Sequence, residues 1–77
     1  MTTPTERVVI DPAIQHGKPV IAGTRVPVAR ILDGLAGGMS VEDVVAEYGV
    51  TADDVRAALA YAGRLVDEEA HFPLPPR

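Results

Sequence analysis

The chain has 77 residues, 47% of them hydrophobic and none of them cysteine, and its 11 acidic against 7 basic side chains leave a net charge of −4. So short a chain makes one domain that buries only about 60–65% of the surface its unfolded form exposes, and a dimer would relieve that marginal core. Disulfides and thiolate metal sites are excluded, the charge has the wrong sign for a protein held on DNA mainly by electrostatics, and no apolar stretch reaches the length of a membrane span.

Residues 1–6 are polar, lack the pattern of a secretory signal and read as a flexible N-terminus, so a cytoplasmic location is expected. Arg7-Val8-Val9-Ile10 has strand composition and stops at the turn signal Asp11-Pro12. The run from Gly17 to Val28, GKPVIAGTRVPV, is dense in glycine, proline and β-branched residues. Pro19 and Pro27 bias Lys18 and Val26 away from helix, so a second extended piece is expected at about Pro19 to Ala22, with a bend at Gly23-Thr24. The two extended pieces pair either within the chain or across a dimer. The run reads first as a structural elbow without chemistry; a sharper reading, compatible with it, has Lys18, Thr24 and Arg25 present charge and donors to a phosphate or a partner carboxylate.

Pro27 suits the first position of a helix, and Val28, Ile31, Leu32, Leu35 and Ala36 then form one apolar stripe. Gly37 and Gly38 end that helix, and Ser40 caps the next, with Asp43 placed to reach back. Val41, Val44, Val45 and Tyr48 are its expected buried face, and Gly49 stops it. Thr51 and Asp54 repeat the capping pattern and open a third helix with inner positions Val55, Ala58, Leu59, Ala62 and Val66.

The short connection Tyr48-Gly49-Val50-Thr51 has the length of a helix-turn-helix turn. The third helix would then read bases, yet it starts with Ala52, Asp53 and Asp54, whose carboxylates repel phosphates. Lys18, Arg25, Arg30 and Arg56 are therefore the expected DNA-facing residues. After Asp67-Glu68-Glu69 the composition changes to a Pro-rich tail, residues 71–77, in which Phe72 and Leu74 have no evident core to join. These two could fill a groove on another protein, and Arg77 could reach acidic residues there.

Catalysis is not expected. His16 and His71 are isolated in the sequence, Asp53 and Asp54 are explained by capping, and no glycine-rich loop has phosphate-binding spacing. No metal or other cofactor is expected either. The architecture is mainly α: a small helix-turn-helix-like three-helix core with a short N-terminal β hairpin or strand pair, dimeric, spanning residues 7–70.

GKPVIAGTRVPV, followed by a helix, the Gly37-Gly38 pair and Ser40-Val41-Glu42-Asp43, resembles the bacterial domain-of-unknown-function family 433, from about Val8 to Ala62. The resemblance implies a VapB-like antitoxin of a type II toxin-antitoxin system, paired with a PIN-like ribonuclease toxin. Such antitoxins often block the acidic metal site of the nuclease with a C-terminal segment, which here would bring Phe72, Leu74 and Arg77 to the toxin. Binding of operator DNA would add autoregulation. Two rivals remain at this point: a stand-alone helix-turn-helix DNA-binding regulator, and a protein-interaction module without DNA binding, which the acidic start of the third helix favours.

Overall fold

A computed structural model describes residues 7–69, so the expectations for residues 1–6 and for the 71–77 tail lie outside the described residues. Two short strands, β1 (Val8–Val9) and β2 (Val20–Ile21), precede three helices, α1 (Val28–Ala36), α2 (Val41–Tyr48) and α3 (Ala52–Glu69). The fold is mainly helical with a small antiparallel sheet, as the sequence predicts.

The strands pair within the chain, Val8 opposite Ile21 and Val9 opposite Val20. A hydrogen bond of 2.6 Å from the Ala22 amide to the Arg7 carbonyl extends the pairing. On its other side β2 meets the segment leading into α1: the Ile21 amide donates to the Val26 carbonyl at 3.0 Å, and the Val28 amide donates to the Pro19 carbonyl at 2.9 Å. The bend between them uses Gly23 at φ 78°. It also uses the Thr24 hydroxyl, which donates to the Ile21 carbonyl at 2.8 Å and accepts from the Val26 amide at 3.0 Å. Thr24 thus serves the turn itself, as the reading of this run as a structural elbow expects.

Pro27 is the residue before α1 rather than its first helical position. At the other end of α1 it is Gly38, at φ 100°, that takes the left-handed conformation, while Gly37 does not. Both capping boxes form. The Ser40 hydroxyl accepts from the Asp43 amide and an Asp43 carboxylate oxygen accepts from the Ser40 amide, and Thr51 and Asp54 repeat the exchange at 3.0 and 2.9 Å. Gly49 closes α2 at φ 68°, a backbone shape that would strain a residue with a Cβ.

The core lies where the three helices meet the sheet. Ile21, Val28, Ile31, Val44, Val50, Val55 and Ala58 are buried, and Leu32, Leu35, Tyr48 and Tyr61 pack around them. Each fully buried valine or isoleucine contributes roughly 1.5–3 kcal/mol relative to exposure. Val50, in the turn between α2 and α3, is part of this core, which fixes the angle at which the chain enters α3. Three expected inner positions are open instead: Val41, Leu59 at 48% exposure and Val66 at 66%. The buried side of α3 runs through Asp54, Val55, Ala57, Ala58 and half-buried Tyr61, which leaves Leu59 and Val66 on its flank. Moreover, α3 has 18 residues against 9 and 8 in α1 and α2, so its second half outruns the helices that could cover it.

Candidate functional site

At the start of α3, charge is organised by a residue far away in sequence. Asp54 is nearly buried, at 8% exposure. One of its oxygens accepts from the Thr51 amide at 2.9 Å, and the other accepts from the Arg7 guanidinium at 3.3 Å. Arg7 also lies 3.8 Å from Asp53, and Arg56, one turn along α3, donates to Asp53 at 2.7 Å. The two acidic residues therefore sit between two guanidinium groups. They favour the helix start through its dipole, and the arginines offset their charge. Of the four expected DNA-facing residues, Arg56 is thus the one already holding a carboxylate.

The other three lie beside the loop that joins the strands. Gln15, His16 and Gly17 follow one another in the left-handed region, at φ 50°, 58° and 81°, in a short 3-10 turn. For Gln15 and His16 that conformation is unfavourable, of order 1–3 kcal/mol each, so the surroundings must hold it. Part of the hold is visible: the Gln15 side-chain amide donates to the Arg25 carbonyl at 3.3 Å, tying the loop to the bend before α1. Lys18 and Arg30 come together in an open hollow of about 430 Å³, whose walls also include Gln15, Pro27, Asp33 and Tyr48. Arg25 stands outside that hollow and is linked to it through its backbone. Among the described residues, Lys18, Arg25 and Arg30 form no ion pair. The hollow offers two cations, an amide, a phenol and one carboxylate, a set suited to anionic or mixed polar ligands.

A second depression continues from the first, sharing Lys18 and Pro27 with it. It holds about 250 Å³ and is apolar, walled by Pro19, Val28 and Leu32 on one side and by Tyr61 and Leu65 of α3 on the other. The expected toxin-facing residues Phe72, Leu74 and Arg77 lie outside the described residues.

Sequence reasoning did not single out Gln15, Asp33 or Tyr48 as site residues, nor the tie from Arg7 to Asp54. Asp33 follows Arg30 by three positions on the polar side of α1, a spacing that sets them on one face. For Gln15 the sequence carries no such signal. Among the described residues, no helix is long and apolar enough to cross a membrane, and no group of three or more His, Cys, Asp or Glu side chains could hold a metal ion.

Comparison with known proteins gives three related findings. The chain is 44% identical over 52 residues to a Mycobacterium tuberculosis protein named "Putative antitoxin VapB45", an overlap of 68% of this chain and 22% of that protein. It is also similar to the crystal structure of Rv2018 from Mycobacterium tuberculosis, with a TM-score of 0.63 and 44% identity over 68% of this chain and 24% of that one. The chain therefore spans about a quarter of the length of the relatives it matches. Residues 8–62, most of the chain and all of the sheet and helix junctions described above, match the sequence model of the family described as "Protein of unknown function (DUF433)", and the chain belongs to that family.

Proposed function

We propose that the chain is the antitoxin of a type II toxin-antitoxin system, which binds and inhibits a PIN-like ribonuclease toxin in the cytoplasm and binds operator DNA as a homodimer to regulate its own expression. The observation that carries this reading is the 44% identity, across the body of the fold, with a protein named as an antitoxin. Phe72, Leu74 and Arg77 contact the toxin: two apolar side chains for a groove and a cation for an acidic site. Operator DNA meets Lys18, Arg25 and Arg30, whose charges are not taken by neighbouring carboxylates among the described residues, with Arg56 at the margin. The α2–α3 pair serves as the helix-turn-helix scaffold.

The test is a pull-down of the tagged chain from its host, with and without the residues after Glu69, followed by an RNA-cleavage assay on the captured protein. A small nuclease recovered only with the longer chain, and silenced when more of that chain is added, is the expected result. Recovery of no nuclease overturns the reading. One observation favours a second reading, a protein-interaction module without DNA binding: at the start of α3 both nearby arginines are engaged by Asp53 and Asp54. An acidic module of that kind flows through immobilised heparin at low salt, whereas a DNA-binding one is retained.

A further inference from the structure

We infer that two copies of the chain associate through the outward face of α3, antiparallel, across a two-fold axis that passes between Ala62 and Gly63. Leu59, Ala62, Gly63 and Val66 follow one another at the spacing of a single helix face. That face points away from the core, which α3 meets through Asp54, Ala57, Ala58 and Tyr61. Leu59 is 48% and Val66 66% exposed, and a Cβ built on Gly63 would meet nothing within 4 Å. No element among the described residues covers it, so a partner can approach without displacing α1 or α2.

The arrangement of charge selects a second copy as the occupant, because a contact between like copies must be complementary to itself under rotation. Leu59 and Val66 stand equally far from the axis, so each Leu59 meets the partner copy's Val66 and each Ala62 the partner copy's Gly63. Arg56 lies beyond Leu59 and Asp67 just beyond Val66, both to the same side of the apolar line. The two-fold axis keeps that side facing its own counterpart and brings each Arg56 within about 3 Å, measured along the helix, of the level of the partner copy's Asp67. Two opposite-charge contacts result. Asp67 is exposed and forms no ion pair among the described residues, and the Arg56 side chain, 72% exposed, uses one terminal nitrogen on Asp53 while its guanidinium carries further donors. A parallel pair would instead set Arg56 against Arg56 and Asp67 against Asp67. Small residues at the centre suit helix axes about 8 Å apart, the close end of the usual range, where alanine is accommodated at either position. Residues 56–67 span about 18 Å of helix, which is short for a permanent interface, so the dimer is reversible and concentration-dependent. The inference rests on the homodimer of the proposed function and supplies its surface, while needing neither toxin nor DNA.

The experiment is sedimentation equilibrium of the full chain over a concentration series, with Arg56→Glu, Asp67→Lys and an equimolar mixture of the two variants. The unmodified chain is expected to pass from monomer to dimer as concentration rises. Each variant alone sets two like-charge pairs across the axis and dimerises about tenfold more weakly. In the mixture both contacts join opposite charges, so heterodimers regain the original affinity, a rescue that a misfolded variant could not give. Leu59→Lys is expected to abolish the dimer, whereas Leu65→Lys, 43% exposed but on the other side of α3, leaves it intact. A monomer at every concentration overturns the inference, and so does a dimer indifferent to both charge variants or a mixture no tighter than its components. A dimer lost with Leu65→Lys and kept with Leu59→Lys overturns it as well, placing the second copy in the groove between α1 and α3. Toxin capture and operator binding are read in other assays, so a dimer built on another face ends this inference and leaves the antitoxin reading standing.

Discussion

Asp54 joins two jobs in one nearly buried side chain: it completes the cap of α3 and accepts a hydrogen bond from the Arg7 guanidinium. A carboxylate there without its cation is left with uncompensated desolvation, and hydrogen bonds to charged groups contribute more than neutral ones. Arg7→Ala is therefore expected to lower unfolding stability by about 1–2 kcal/mol, held to that range because Arg7 itself is partly in water. Urea denaturation reads the loss as a lower midpoint with an unchanged slope. Thr51→Ala, which removes the hydroxyl accepting from the Asp54 amide, is expected to lose about 1 kcal/mol in the same assay. Both caps were legible in the sequence, because Ser40 with Asp43 and Thr51 with Asp54 are partners three residues apart, and local spacing is what a sequence displays directly. The Arg7 tie was not legible, since its partner is 47 residues away and only the tertiary fold brings the two together. The left-handed Gln15 and His16 were equally hidden, because neither residue type signals that backbone.

Among the elements, α3 separates propensity from packing most clearly. Its periodicity placed Val55 and Ala58 correctly in the core, but the same stripe also named Leu59 and Val66, which are exposed. A hydrophobic stripe gives direction around a helix, but it cannot say how far along the helix its neighbours extend. Gly63 lies in that uncovered stretch, and an added Cβ there would meet nothing within 4 Å. Gly63→Ala should therefore express almost the pure helix preference, a gain of about 0.5–1 kcal/mol read as a higher melting temperature. Gly49→Ala should do the reverse, losing about 1 kcal/mol, because φ 68° at the end of α2 suits glycine although space around it is free. Gly34 is the intermediate case: a Cβ there would stand 3.0 Å from the Met39 sulfur, so the flexible methionine must move before any helix preference is gained. The site was half legible at this scale. Lys18 and Arg30 were named and do share a hollow, whereas Gln15, Asp33 and Tyr48, which complete its walls, come from three separate segments.

For the whole molecule, the sign and placement of charge set the proposed encounter with DNA. A chain of net charge −4 can hold phosphates only if its free cations are concentrated; Lys18, Arg25 and Arg30 lie beside one loop and, like Arg64 on α3, form no ion pair among the described residues. Arg30→Glu is accordingly expected to weaken operator binding and to reduce the dependence of log affinity on log salt by about 1, as for one lost phosphate contact. Arg56→Glu should change that slope less, because Asp53 already engages the side chain at 2.7 Å. Fluorescence anisotropy across a salt series measures both. Equal slopes for the two variants would remove the loop and α1 from the DNA surface.

The tie between the first strand and the last helix also has a meaning in time. During synthesis β1 emerges from the ribosome before α3 exists, and Arg7 meets Asp54 only once nearly the whole fold is available. Fragments that stop short of α3 lack the Val55 and Ala58 side of the core as well as the charge tie. Fragments that end before α3 are therefore expected to be cleaved faster by added protease than the chain that carries α3, and limited proteolysis of the two measures the difference.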